Sequence, residues 1–431
     1  MIIYTVKSGD NVYRIARRFG TTSQRIIADN DLQTPSELAV GQKIVILQPR
    51  TVYTVKEGDT LYSVAQMFSV PVNQLLRNNP SLEGSETLRT GHELIISLPE
   101  PTYGNIDVNA YAYTGIDPTT LQRTLPYLTY LTIFSYGINE NGELIDIDDE
   151  EIIETARRSG VAPIMMLSTL TEDGTFSSER ATMVLSSEDI QNNLIAEILQ
   201  TVEEKRYEGV DVDFEYVEGE YAQAYADFLE RLRQALSEQG RKLFVALAPK
   251  TSADMPGLLY EGHDYAALGD AADKALLMTY EWGYTYGEPQ AVSPINKVRE
   301  VVEYGVSEIP REKILLGVPN YGYDWPLPYV QGETKAQSLS NNEAVERAKE
   351  NNAEIQYDQT VQAPFYTYYV RENGTPIQHI VWFEDASSVD AMLKLINEYG
   401  LSGMSVWNIM RYFPSLWTVL NSLYRINKVL N

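Results

Sequence analysis

The sequence predicts an α/β protein: a TIM (β/α)8 barrel with a small α+β insertion, preceded by two small βααβ units. Three observations predict it. Beyond residue 103, short apolar runs alternate with amphipathic helical stretches, the pattern of a parallel sheet wound by crossover helices. Eight such runs can be counted, as a closed barrel of this type requires. Within the first hundred residues, one segment occurs twice.

The first unit, residues 1–48, opens with alternating Tyr4 and Val6. Val12, Ile15, Ala16 and Phe19 then form a helical stripe, and Ile44-Val45-Ile46 closes the unit as a strand. Its opening run, Tyr4-Thr5-Val6-Lys7-Ser8-Gly9-Asp10-Asn11-Val12, recurs as Tyr53-Thr54-Val55-Lys56-Glu57-Gly58-Asp59-Thr60-Leu61 and starts a second unit, residues 51–99. Ala16 and Ala65, Phe19 and Phe68, and Asn30 and Asn79 keep the register, which slips by one residue to pair Gly41 with Gly91. Each Gly-Asp reads as a turn and a helix cap. Links with proline, Gln48-Pro49-Arg50 and Leu98-Pro99-Glu100-Pro101, separate the units.

The barrel is assigned to residues 103–431, with candidate strands at 106–113, 128–136, 162–168, 209–215, 243–248, 275–281, 314–321 and 403–407. Helical stretches at 189–205, 221–237 and 389–399 fall between them. The gap before the eighth strand is too long for a simple crossover. Residues 324–380 include a helical stretch at 343–350, the run Phe365-Tyr366-Thr367-Tyr368-Tyr369 and a hairpin signal at Asn373-Gly374. They read as an insertion walling one side of a cleft, the tyrosine-rich run being first of all a strand and second a set of sugar contacts.

Composition narrows the chemistry. The chain of 431 residues has no cysteine, so it has neither disulfides nor a thiolate zinc site. His92, His263 and His379 are far apart, lack a metal-ligand spacing and read as ordinary surface or loop residues, so no metal or cofactor is expected. The net charge of −26 argues against nucleic acid as a partner. Residues 1–100 hold 10 basic and 10 acidic side chains, leaving 24 against 50 in the remainder. No apolar run is long enough to span a membrane. The start, Met1-Ile2-Ile3-Tyr4, has no basic region or apolar core and does not read as a secretory signal.

The most informative stretch is Asp211-Val212-Asp213-Phe214-Glu215. On a strand, residues two apart share a face, so the three acids project together while Val210, Val212 and Phe214 pack the other way. Neighbouring carboxylates raise one another's pKa, and a carboxyl that keeps its proton near neutral pH is what a general acid requires. The alternatives are a solvated edge strand or a calcium site of oxygen ligands. The bulky apolar neighbours weigh against both.

This run, preceded by Tyr207-Glu208-Gly209-Val210, resembles the signature of glycoside hydrolase family 18, with Glu208 where the family pattern has Asp. The resemblance implies that Glu215 is the proton donor, that Asp213 steers the substrate's acetamido group and that Asp211 supports Asp213. Met278-Thr279-Tyr280-Glu281 and Trp407 are similar to further family segments. They imply that the Tyr280 hydroxyl bonds the acetamido oxygen, that Glu281 contacts substrate and that Trp407 floors the cleavage subsite. Leu316-Gly317-Val318-Pro319-Asn320-Tyr321-Gly322 resembles the segment bordering the site and makes Asn320 and Tyr321 substrate-contact candidates or barrel-packing residues.

The N-terminal repeats resemble LysM domains, which hold glycans containing N-acetylglucosamine. The resemblance places their glycan loops at Gly9-Asp10-Asn11-Val12 with Leu38-Ala39-Val40, and at Gly58-Asp59-Thr60-Leu61 with Leu88-Arg89-Thr90. Together the parts resemble the cortex-lytic N-acetylglucosaminidases of endospore-forming bacteria. That implies a monomer acting on peptidoglycan at the spore coat and cortex, or else in the cell wall. A LysM-anchored chitinase and a glycan-binding protein without activity are the alternatives.

Overall fold

The computed structural model describes all of the chain except residues 33–36, 85–86, 172–173, 373 and 431. Eight parallel strands close on themselves: Asn105–Tyr113, Tyr130–Ile138, Ala162–Ser168, Gly209–Asp213, Lys242–Leu247, Lys274–Leu277, Ile314–Pro319 and Gly403–Trp407. Closure comes from the first strand, which pairs in parallel with both the second and the eighth. Alternation along the strands gives two cores. Val108, Ala110 and Ala112 face the helical ring, whereas Tyr111 joins Tyr130, Ile164, Met166, Phe244 and Leu276 inside the barrel.

Of the strands that end earlier than the apolar pattern predicts, two bear on the site. The fourth stops at Asp213 and the sixth at Leu277, so Glu215, Tyr280 and Glu281 lie beyond the ladder at its C-terminal end. Backbone geometry keeps the pairing from resuming. Tyr216 and Glu281 have φ of 58° and 65°, in the left-handed region that no strand residue adopts. Thr279 also turns its hydroxyl back to the Gly317 carbonyl at 2.8 Å.

The insertion is a five-stranded antiparallel sheet, in the order Gln337–Leu339, Gly322–Leu327, Thr375–Trp382, Ala363–Glu372 and Gln356–Asp358, with the helix Asn341–Glu350 packed on it. Ser340 caps that helix through a reciprocal bond with Glu343. Within the tyrosine-rich run, Tyr366 and Tyr368 are buried in the sheet's own core and Phe365 stacks on Trp382 with centroids 4.6 Å apart. The two strands flanking the expected Asn373-Gly374 turn pair as a hairpin; Asn373 itself lies outside the described residues.

Each N-terminal repeat folds as strand, helix, helix, strand, with Ile2–Thr5 paired to Lys43–Ile46 and Thr51–Thr54 paired to Glu93–Ser97. Asn30 and Asn79, matched in the sequence, play the same part. Each buried amide spans its second helix and last strand, donating to Ile26 O and Val45 O or to Leu75 O and Ile95 O. Neither repeat hangs free of the barrel. Arg77 is buried against it, donating to Pro126 O at 3.1 Å and to Asn421 at 3.2 Å, and burial lowers its pKa to about 10. Arg123 pairs with Asp31 at 2.9 Å, and Thr418 bonds Asp29 O at 3.1 Å. Both repeats thereby seat on the C-terminal helix Pro414–Leu423. Among the described residues no helix is long and apolar enough to cross a membrane, and no group of three or more His, Cys, Asp or Glu side chains is placed to hold a metal ion.

Candidate active site

Packing on the outer face of the fourth strand sets the direction of its acids. Val210, Val212 and Phe214 are fully buried toward the helices, and Phe214 stacks on Tyr225 and Phe228 of the helix Ala222–Glu238 at 5.5 and 5.9 Å. Each such side chain stabilises this arrangement by roughly 1.5–3 kcal/mol, and turning the strand over would expose all three. Asp211 and Asp213 therefore point into the barrel. Just past the strand, Phe214 O meets Nε2 of His263 at 3.1 Å, while His263 Nδ1 accepts from Ala248 N. His263 is wholly buried, with its pKa lowered to about 4 by burial. The sequence marked it as a surface or loop residue; it instead ties the turn that carries Glu215 to the strand beside it.

The acids are graded by their surroundings. Asp211 is 1% exposed and takes a hydrogen bond from the Tyr111 hydroxyl at 2.6 Å. Burial still raises its pKa to about 6. Asp213, 5% exposed, lies well above the ordinary carboxylate range because of burial first, then the charges of Glu215 and Asp211. One oxygen of each aspartate, Oδ1, has no hydrogen-bond partner among the described residues. Glu215 is raised to about 7, by burial first and by the charge of Glu281 second. A carboxyl with that pKa carries its proton for much of the time at neutral pH, as a general acid must.

These groups meet in a cavity of about 180 Å³ lined by Asp213, Glu215, Tyr280, Glu281, Trp407 and Phe176, among others. Trp407 ends the eighth strand, its ring held by the edges of Tyr111 and Phe134, both with centroids 5.3 Å away. Tyr280 depends on a missing side chain, because a Cβ at Gly317 would come within 2.9 Å of its ring. Glu281 sits on the rim and accepts from the hydroxyls of Tyr321 and Tyr323, the latter at 3.1 Å. Glu208, the departure from the family pattern, is at the far end of the strand, paired with Arg157 at 2.5 Å and with Arg241.

Two candidates are placed elsewhere. The Asn320 side chain is buried and donates to Asn408 O at 2.9 Å and Arg411 O at 2.7 Å, holding the loop after the eighth strand rather than facing the cavity. Tyr321 is absent from the cavity lining and serves Glu281 from behind. Conversely, Tyr111, Phe134 and Phe176 belong to the site, although no motif in the sequence points to them. Tyr111 was marked only by its position, an inward residue flanked by two outward alanines.

In the repeats, the loop side chains are spent internally. Asp10 accepts from Tyr4 OH at 2.7 Å and Lys7 N at 2.8 Å, and Asp59 accepts from Tyr53 OH and Lys56 N, both at 2.7 Å. Val12 and Leu61 are buried in the module cores. The helix caps are therefore Asn11 and Thr60, not the aspartates. Gly9 and Gly58, both at positive φ, and Thr60 remain exposed to a ligand.

Because the charge of Glu281 helps to raise Glu215, Glu281→Gln should lower the pKa of Glu215. The alkaline limb of the pH–rate profile should then move to lower pH, while the acid limb stays in place. Profiles of kcat/KM for the two proteins check this, and an unmoved alkaline limb would separate the Glu281 charge from the Glu215 carboxyl.

Residues 108–411 match glycosyl hydrolases family 18, and residues 4–47 and 53–97 match the LysM domain. The chain belongs to glycosyl hydrolase family 18, and it is a glycosidase carrying two N-terminal LysM domains. It is 41% identical over 434 residues to the cortical fragment-lytic enzyme of Bacillus subtilis (strain 168), with 99% of each chain covered. The crystal structure of the spore cortex-lytic enzyme SleL of Bacillus megaterium QM B1551 superposes with a TM-score of 0.83 at 36% identity, covering 99% of both chains. A chitinase from Chromobacterium violaceum ATCC 12472 aligns with 74% of this chain and 98% of its own, at 25% identity and a TM-score of 0.67.

Proposed function

We propose that this protein is a retaining N-acetylglucosaminidase that cleaves peptidoglycan, taking spore cortex fragments during germination as its substrate. It acts as a monomer, with residues 103–431 as the catalytic unit and residues 1–48 and 51–99 as glycan-holding modules. The observation that carries the chemistry is Glu215, its proton retained by burial, at the mouth of the barrel beside the inward-facing Asp213. In this reading Glu215 protonates the glycosidic oxygen while the substrate's acetamido carbonyl oxygen attacks the anomeric carbon. The glycosidic bond breaks, and an oxazolinium forms with the sugar against Trp407. Asp213 stabilises the acetamido N–H and Tyr280 orients its oxygen. Glu215, now ionised, takes a proton from water as that water opens the oxazolinium with net retention.

The assignment to cortex rests on similarity along nearly the whole length, LysM modules included, to enzymes named for cortex lysis. The chitinase reading rests on likeness to the barrel portion alone. Digestion of cortex fragments and chitin oligomers side by side, with mass analysis of the ends, tests the choice. Cortex products should end in reducing N-acetylglucosamine. Reducing muramic ends, or intact cortex fragments beside cleaved chitin, would overturn it.

A further inference from the structure

The two LysM modules have matching folds, but their second loops have different surroundings. In the first module, Ile355 of the insertion donates its N–H to Val40 O at 2.9 Å. Ala39 is 4% exposed and belongs to the insertion's own core, with Leu339, Ala344, Ala348, Ile355 and Phe383. Gly41 is buried, and a Cβ there would fall 1.8 Å from Ile355 O. Lys43, at the start of the next strand, lies over the Tyr357 ring at 5.1 Å. The Val40 carbonyl, the Ala39 side chain and the close approach at Gly41 thus all engage the catalytic unit.

In the second module, the corresponding residues are Arg89, Thr90 and Gly91, and all three are exposed. A Cβ on Gly91 would meet nothing within 4 Å, although its φ of 84° is close to the 89° of Gly41. The backbones thus have the same shape, and the neighbours differ. The sequence difference agrees: Ala39 and Val40 suit a dry contact, and Arg89 and Thr90 suit water.

We propose that the first LysM module has given up glycan binding to dock the insertion, and that the second module is the glycan-binding module of the intact protein. The proposal rests on the reading that these loops hold glycan. It follows that the pair confers no avidity for a polymer, because only one of two tethered sites is open. The first module acts as a strut, holding the insertion at a fixed position relative to the barrel.

Retention of the full chain on insoluble peptidoglycan sacculi tests this, with Glu215→Gln as the common background to prevent digestion. Thr60→Trp, which crowds the exposed loops of the second module, should lower retention about tenfold or more. Asn11→Trp, the matched change in the first module, should leave retention within about twofold. Both replace a helix cap, a single bond to Arg14 N at Asn11 and a reciprocal one with Ser63 at Thr60, so the Tm of each variant is read beside its retention to separate loss of the module's fold from loss of binding. Ala39→Arg/Val40→Thr gives the first module residues that the second tolerates at the same positions. Added to Thr60→Trp, it should undock the first loop and restore part of the retention. Equal losses from Asn11→Trp and Thr60→Trp would overturn the asymmetry while leaving the loops as glycan sites. Firm retention lost with neither substitution would overturn the loop reading, and the proposal with it.

Discussion

Replacing Glu215 by Gln is expected to lower kcat by about 10³–10⁴ while leaving retention on glycan unchanged. The side chain keeps its shape and loses only the proton it can give, and general acid–base catalysis typically contributes about 10²–10⁴. The upper end is expected because in the proposed mechanism the same group acts twice, as acid in the first step and as base in the second. Stability supplies an independent readout. The pKa of Glu215 is raised in the folded protein to about 7, so the folded state holds this proton more tightly than the unfolded chain does. Its stabilising contribution is present at pH 4 and is lost as pH rises through 7. The neutral amide escapes that loss, so Glu215→Gln should have a higher Tm than the unmodified protein at pH 8 and no such advantage at pH 4. Turnover at the unmodified rate, measured as reducing-end release, would remove Glu215 from the mechanism.

How much of this was legible in the sequence depended on the range of the interactions concerned. The barrel strands could be read because each buries an outer face against a helix, and that face leaves a local pattern, as Val210, Val212 and Phe214 show. The strand ends could not be read in the same way. Tyr280 looks as apolar as its predecessors, but Met278 makes the last bond to the fifth strand and Thr279 turns its hydroxyl to Gly317 on the next strand, a contact with no local sequence signal. Within the site, the acids stood out as charges in an apolar run. Tyr111 did not, because its meaning comes from an aspartate about a hundred positions away that closure of the barrel brings to 2.6 Å. Asn320 shows the reverse case: an amide at the mouth of a barrel fits a sugar or a backbone carbonyl equally well, and only the fold of the 408–411 loop decides between them. The seating of the modules was equally hidden, since Arg77 and Asn421 are separated by most of the chain.

Asp213→Asn should lower kcat by about 10²–10³, the range for removing one preorganised electrostatic partner of a developing charge. Its dependence on substrate separates two mechanisms that both need a pair of carboxylates. If Asp213 were the nucleophile, it would have to be ionised in the resting enzyme and the 2-acetamido group would be dispensable. Small anions such as azide would then restore activity to a variant truncated at this position. The setting of Asp213 argues against that role. Burial and the charges of Glu215 and Asp211 hold its carboxyl well above the ordinary range, which disfavours the ionised form that a nucleophile needs in the resting enzyme; in the proposed mechanism the positive charge that develops on the acetamido N–H favours that ionised form as its hydrogen-bond acceptor. Azide should therefore give no rescue to Asp213→Ala or Asp213→Asn. The unmodified enzyme should slow markedly on aryl glycosides whose acetyl group is replaced by trifluoroacetyl, because fluorine withdraws electrons from the attacking carbonyl oxygen. A glucoside lacking the amide should not be cleaved. Azide rescue with formation of a glycosyl azide, or rates insensitive to fluorination, would assign the attack to the protein rather than to the substrate.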